Sequence, residues 1–308
     1  GRSRTTHNAE PKHFKNPPIS PLSAHYNRRT NMKREDLHIR DPFVLVHNNE
    51  YYLLGTTGDD CWNAGSNLIL FKSTDLENFE QHCVMVKKGL LSGYTNIWAP
   101  ELHEYNGRFY LVFSVYCEEK GRGSIIFYSD ALDDNFRPLT GEYITPEKWG
   151  CLDASLFVYR NEPYLCFSNE WTTPITGDGD GSLFIAKLTP DLKTLAEKPH
   201  KIISGKYCGF AEEINIDNKI FGYVAEGPYL YEENGKIVLL WSTYTATGYS
   251  VIKSVSDSIY GEYKVEKKIF EKDGGHCMRF ISLSGKPLIT LHQPNFSPEE
   301  RMKIIEEN

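Results

Sequence analysis

The sequence has no Cys-x-x-Cys pair, although seven cysteines stand in its 308 residues, at Cys61, Cys83, Cys117, Cys151, Cys166, Cys208 and Cys277. That absence removes the usual zinc and thiol-disulfide signatures. The count is odd, and several cysteines sit in apolar text such as Leu165-Cys166-Phe167, where a reduced thiol packs as a small hydrophobe. A reducing compartment is the setting that usage favours. A basic excess is missing too: 34 Lys and Arg face 41 Asp and Glu, a net charge of −7. No nucleic-acid footprint and no polybasic membrane patch are expected from that balance. The first thirty-odd residues are polar and hold no apolar run fit for a signal peptide or a membrane span. Pro17, Pro18 and Pro21 there suit an extended segment laid over a folded domain. What remains as a partner is a small or polymeric uncharged ligand, a carbohydrate being the simplest.

What the chain does have is a repeat. Asp41-Pro-Phe-Val-Leu-Val-His-Asn-Asn-Glu-Tyr-Tyr-Leu-Leu54 reads as a short apolar strand, a turn and a second strand, hence a hairpin. Copies start at Pro42, Pro100, Ala154, Pro228 and Met278, and their turn residues Asn49, Gly107, Asn161, Gly235 and Gly285 each follow by seven positions. Successive starts are 58, 54, 74 and 50 residues apart, too long for a solenoid and suited to four-stranded propeller blades. Third strands follow at Leu68, Ser124, Leu183 and Tyr249, and turns at Ser73, Ser129, Thr189 and Ser256. The reading is all-β: a five-bladed β-propeller over 36–308 with a central-channel site, preceded by an extended arm over 1–35. Arg301-Met-Lys-Ile-Ile-Glu306 reads as a late strand that helps close the ring. A β-sandwich of hairpins is the competing architecture.

In a propeller the leading strand of each blade lines the channel, so the residues opening those strands converge. They are Asp41, Ala99, Asp153, Glu226 and His276, three of them carboxylates. Glu226 lies among Val224, Ala225, Pro228 and Tyr229, where desolvation favours the protonated state a general acid needs. His276 takes the slot Glu226 holds one blade earlier, and either binds a cation or water on the axis or hydrogen-bonds a carboxylate. Trp98 stands beside the acid-free Ala99 slot, where a sugar ring has room. Trp62 is either a sugar platform or a cap on the blade edge. Trp171 ends a second strand near the channel mouth, and Glu101 either faces the channel or serves a structural hydrogen bond. Gly177-Asp-Gly-Asp-Gly181 lacks the ligand spacing and closing Glu of an EF-hand and reads as a glycine turn.

Arg40-Asp41-Pro42, Trp98-Ala-Pro-Glu101, Leu152-Asp153-Ala154, Ala225-Glu226-Gly-Pro228 and Gly274-Gly-His276, in that order, resemble glycoside hydrolase family 43. The resemblance runs from about Asp36 to the C-terminus. It implies a five-bladed inverting glycosidase acting on arabinofuranosides, xylosides or galactosides. Carried over, it makes Asp41 the general base, Glu226 the general acid and Asp153 the carboxylate that raises and orients the acid. Like charges resist joint ionisation, so an ionised Asp153 keeps Glu226 protonated, and inversion calls for base and acid roughly 6.5–9.5 Å apart. His276 matches an axial histidine that contacts a cation in some members. The next residue here is Cys277, where the family commonly has Gly. No cofactor is required, with a single cation near His276 as the one candidate. The long stretch before blade four suggests a pocket for one terminal sugar, so the expected activity is exo-acting α-L-arabinofuranosidase, with β-xylosidase next. A retaining fructosidase and a non-catalytic sugar-binding propeller are the rival readings. The first lacks its Asn-Asp-Pro and Glu-Cys motifs here, and the second leaves three channel carboxylates without a use.

Overall fold

A computed structural model describes residues 31–57, 67–133, 135–172 and 179–307. Their strands group into five blades around one axis. Blade one holds β1 (Met32–Lys33), β2 (Arg40–His47), β3 (Glu50–Thr56), β4 (Leu68–Ser73) and β5 (Asn78–Val86), in the order β1-β5-β4-β3-β2. Blade two runs β6 (Thr95–Tyr105), β7 (Arg108–Cys117), β8 (Gly121–Ser129) and β9 (Arg137–Pro138). Blade three runs β10 (Cys151–Tyr159), β11 (Glu162–Asn169), β12 (Ser182–Lys187) and β13 (His200–Ser204). A ribbon of β14 (Ile214–Ile216) and β15 (Ile220–Gly222) precedes blade four, which is β16 (Glu226–Glu233), β17 (Lys236–Thr245), β18 (Gly248–Ser256) and β19 (Lys264–Phe270). Blade five, among the described residues, has three strands: β20 (Gly275–Ile281), β21 (Pro287–Gln293) and β22 (Arg301–Glu306).

The expected hairpins are the five inner strand pairs. Four turn through two residues that are both left-handed: Asn48-Asn49, Asn106-Gly107, Arg160-Asn161 and Asn234-Gly235. Type I′ turns need that conformation, and Asn and Gly adopt it most readily. Blade five differs, since Ile281 pairs with Pro287 and five residues form the loop. Its repeat start is therefore offset by one from the other blades. The Ser-x-Asp text after third strands closes local turns. Ser73 Oγ accepts the N–H groups of Asp75 and Leu76, and Asp75 accepts those of Glu77 and Asn78.

Apolar faces meet between blades. Phe113 and Phe127 pack with Leu53 and Leu70 between blades one and two, and Leu165 and Phe167 with Val112 and Ile126 between two and three. Trp241 and Ile252 pack with Cys166 and Ile185 between three and four, and Leu240 and Val251 with Ile289 and Leu291 between four and five. The six described cysteines are all free thiols, three of them buried, in keeping with a packing role. The ring closes where His38 bridges Arg301, the first residue of β22, and Arg40 Nη1 lies 3.4 Å from the fully buried Glu300. Among the described residues no helix is long and apolar enough to cross a membrane.

Candidate active site

Each leading strand opens with the same irregularity. The inner pairing skips two residues after Arg40, Trp98, Leu152, Glu226 and Gly275, leaving Asp41, Ala99, Asp153, Gly227 and His276 as the first residue of a bulge. All five have positive φ, between 46° and 58°. Such a backbone is uncommon for residues with a side chain, and its concentration at one spot marks a site where strain is held by surrounding bonds.

Those bonds run from blade to blade. Thr56 Oγ1 accepts the N–H of Ala99 at 2.8 Å, Ser114 Oγ that of Asp153 at 2.8 Å, and Ser242 Oγ that of His276 at 2.9 Å. His292 Nδ1 accepts the N–H of Asp41 at 3.2 Å and completes the circuit from blade five to blade one. Each acceptor sits on the second strand of the preceding blade, opposite the residue before the bulge. The step into blade four is the exception, because the Gly227 N–H is taken at 3.0 Å by the carboxylate of Asp153 itself.

The register corrects one expectation. His276 shares its slot with Asp41 and Asp153, whereas Glu226 stands one residue earlier, level with Arg40 and Trp98. Steric contact explains the offset: at Gly227, φ is +58°, and a Cβ there would lie 3.1 Å from His276 Cγ. A side chain in that slot of blade four would press on His276, and the acid projects from the neighbouring one.

Asp41, Asp153, Glu226, His276, Trp98 and Trp171 all line one cavity of about 320 Å³. Trp62 lies outside the described residues, as do Cys61, most of the arm and the first residues of the glycine turn. Trp98 stacks with the Arg122 guanidinium 3.9 Å from its ring. Trp171 is mostly buried and packs where side chains at Gly181 and Gly222 would collide with it, so it anchors the β14–β15 ribbon as well as walling the cavity. From that ribbon Ile214 and Ile216 supply an apolar wall. Glu101 is buried and hydrogen-bonded to His103 at 2.7 Å, the structural alternative of its two expected roles.

The charges divide the carboxylates into two kinds. Burial alone would raise Asp41, but His276, His292 and Arg40 beside it, and the Thr56 hydroxyl donating to Oδ2 at 2.6 Å, hold its carboxyl below the ordinary range. Burial pushes Glu226 up to about 7, the negative charge of Asp153 adding to the effect, while the hydrogen bond donated by Tyr249 opposes it. Asp153 is raised to about 6 by burial, against the pull of His276. His276 Nδ1 lies 3.3 Å from Asp41 Oδ1 and 3.5 Å from Asp153 Oδ2. Burial disfavours its charge, yet those two carboxylates keep its pKa above that of an ordinary histidine. His292 is the opposite case: burial and Arg40 depress it to about 4, leaving a neutral ring. With Nδ1 accepting from Asp41, its Nε2 donates to Asn295 Oδ1 at 2.9 Å.

As for a cation, the described residues contain no group of three or more His, Cys, Asp or Glu arranged to hold one. His276 spends Nδ1 on two carboxylates.

Sequence reasoning missed Tyr249, Tyr244, Thr56 and His292. Tyr244 and Tyr249 line the cavity with Thr56, and Asn295 Nδ2 donates to the Tyr244 hydroxyl at 2.8 Å. Their only signal was position, near those ends of second and third strands that face the channel opening.

Comparison with known proteins agrees with this geometry. The profile of glycosyl hydrolases family 43 matches residues 36–275. The chain is 30% identical over 153 residues to an extracellular exo-α-(1→5)-L-arabinofuranosidase of Streptomyces chartreusis, a match covering 48% of this chain and 42% of that protein. It is 25% identical over 212 residues to the enzyme of the same description from Streptomyces avermitilis, covering 66% and 40%. The match thus spans about two fifths of the length of these curated relatives. Among solved structures, an endo-arabinase from Bacteroides thetaiotaomicron superposes with a TM-score of 0.82 at 29% identity, covering 92% of this chain and 98% of the other. A family-43 β-xylosidase/α-arabinofuranosidase from a compost metagenome shares the fold, with a TM-score of 0.70, 18% identity and coverage of 91% and 94%. A five-bladed ring whose leading strands deliver three carboxylates to one cavity, matched by that profile over most of its length, makes this chain a member of glycosyl hydrolases family 43.

Proposed function

We propose that this glycoside hydrolase removes terminal α-L-arabinofuranose units by inverting hydrolysis, with Glu226 as general acid, Asp41 as general base and Asp153 tuning the acid. The observation that carries the reading is the opposed protonation of two carboxylates in one pocket: Asp41 is held ionised, and Glu226 is raised to about 7. Glu226 gives its proton to the departing glycosidic oxygen as the bond from the anomeric carbon breaks. Asp41 takes a proton from the water that attacks that carbon on the opposite face. Asp153 stays ionised above about 6 and keeps the proton on Glu226 until it is needed. His276 holds Asp41 and Asp153 in register and disfavours protonation of Asp41.

Exo action is supported by the small cavity, at the low end of the range for ligand sites, and by the ribbon that walls it with Ile214 and Ile216. The descriptions of the Streptomyces relatives point the same way, whereas that of the Bacteroides structure names an endo-acting enzyme. Linear arabinan separates the two: free arabinose as the sole early product supports exo cleavage, and a ladder of oligosaccharides refutes it. Parallel assays on 4-nitrophenyl α-L-arabinofuranoside and β-D-xyloside rank the sugars, and release from neither overturns the pentose assignment.

A further inference from the structure

Among the described residues, three hydroxyl groups line the catalytic cavity, those of Thr56, Tyr244 and Tyr249. Two have their hydrogens committed. Thr56 donates to Asp41 Oδ2 at 2.6 Å, and Tyr249 to Glu226 Oε1 at 2.7 Å. Tyr244 is the third, and its partner Asn295 decides what its hydroxyl can do.

The Asn295 amide is oriented from two sides. Arg40 Nη2 lies 2.7 Å from Asn295 Oδ1, and a guanidinium can only donate. His292 Nε2 lies 2.9 Å from the same oxygen, and because Nδ1 accepts the N–H of Asp41, Nε2 carries the ring hydrogen. Two donors therefore meet at Oδ1, and a flipped amide would turn its NH2 group against both. That leaves Nδ2 facing the Tyr244 oxygen at 2.8 Å, so the phenol accepts this bond. Its own hydrogen turns away from Asn295, and no side chain or backbone oxygen among the described residues takes it. Burial, with the charge of Glu226 next, pushes the phenol up to about 12, so the hydrogen is present wherever the acid works.

A donor in a cavity wall costs free energy when a substrate displaces the water beside it, unless the substrate brings a lone pair to the same place. Tyr244 stands next to the acid: it pairs with Tyr249 in the register of blade four, and their rings are 5.2 Å apart. The incoming acceptor has to be neutral, since Asp41, Asp153 and Glu226 share the cavity. The glycosidic oxygen is already the target of Glu226, which leaves a hydroxyl of the bound sugar. We propose that Tyr244 donates to a hydroxyl oxygen of the sugar held in the pocket, with Asn295 as the positioning residue that turns the phenol hydrogen towards it. This assignment rests on the glycosidase reading above and adds to it the group that selects among neutral sugars by the place of one hydroxyl.

Paired truncation of enzyme and substrate tests it. The parent enzyme, Tyr244→Phe and Asn295→Asp are assayed on 4-nitrophenyl α-L-arabinofuranoside and β-D-xyloside, and on the monodeoxy forms of whichever is hydrolysed. In the parent enzyme one deoxy analogue should lose roughly tenfold in kcat/KM. Tyr244→Phe should lose about as much on the unmodified glycoside, and less than about twofold on that one analogue. Asn295→Asp keeps the shape and the bond from Arg40 but offers Tyr244 an oxygen in place of the NH2, which draws the phenol hydrogen out of the cavity. It should reproduce the same pattern with the phenol still in place. Equal proportional losses on the unmodified glycoside and every deoxy analogue, as general damage to the pocket would give, overturn the donor role if seen in Tyr244→Phe and the positioning role if seen in Asn295→Asp. Release from neither unmodified glycoside removes the pentose reading and this assignment together, whereas release with unaltered ratios removes this assignment alone.

Discussion

Tyr249 donates its hydroxyl hydrogen to Glu226 Oε1 at 2.7 Å, so the proposed acid is held by a group that favours its ionised form. The bond fixes the carboxyl and counteracts part of the upward pull of burial and Asp153. In Tyr249→Phe that opposition disappears. The alkaline limb of kcat/KM, set near 7 by Glu226, should move to higher pH, while kcat falls roughly tenfold from lost orientation. A pH–rate profile checks this, and a limb that stays put or moves down contradicts it.

Asp153 acts in the opposite sense. Its negative charge helps to raise Glu226, so Asp153→Asn should lower the pKa of the acid and shift the alkaline limb to lower pH, with kcat down about 10²-fold. Opposite shifts in these two variants, measured on one substrate, separate pKa tuning from general damage to the pocket.

Stability carries the same signature. An acid whose folded pKa is raised from 4.5 to about 7 contributes stability that is present below 4.5 and lost as pH rises through 7. Glu226→Gln removes that titration while keeping the oxygen that accepts from Tyr249. The variant should be more stable than the parent at pH 8 by ~1–3 kcal/mol, and the difference should close towards pH 4. Denaturant melts at both pH values measure it. Turnover in the same variant should fall 10²–10⁴-fold while substrate binding persists.

The repeat was legible because each hairpin combines an alternating strand with a turn that needs Asn or Gly, as at Asn106-Gly107 and Asn234-Gly235. The converging acids were legible too, since all lie within two residues of a repeat start. The one-residue offset of Glu226 was legible as well, but the slot of His276 was not: counted from the repeat starts it falls level with Glu226, and the longer loop of blade five hides that its bulge sets it level with Asp41. Nor were the blade-to-blade acceptors legible, because Asp41 and His292 meet across 251 residues of sequence with no local signal. Arg301–Glu306 was legible as a strand that helps close the ring, whereas the contacts of His38, Arg40 and Glu300 that seal it are likewise matters of long-range packing.

The offset itself can be tested. Gly227→Ala puts a methyl group 3.1 Å from His276 Cγ on a left-handed backbone, so it should cost ~1–3 kcal/mol of stability and displace both His276 and Glu226. Activity should fall by more than tenfold at temperatures where the variant remains folded. Unaltered kinetics contradict the assigned register.

The most direct test of the mechanism is the anomer first released. Proton NMR of an α-L-arabinofuranoside hydrolysed in the spectrometer should show β-arabinofuranose first, before mutarotation, because Asp41 delivers water to the face opposite the group protonated by Glu226. Initial appearance of the α-anomer would mean retention through a covalent intermediate, and would contradict the roles given to both residues.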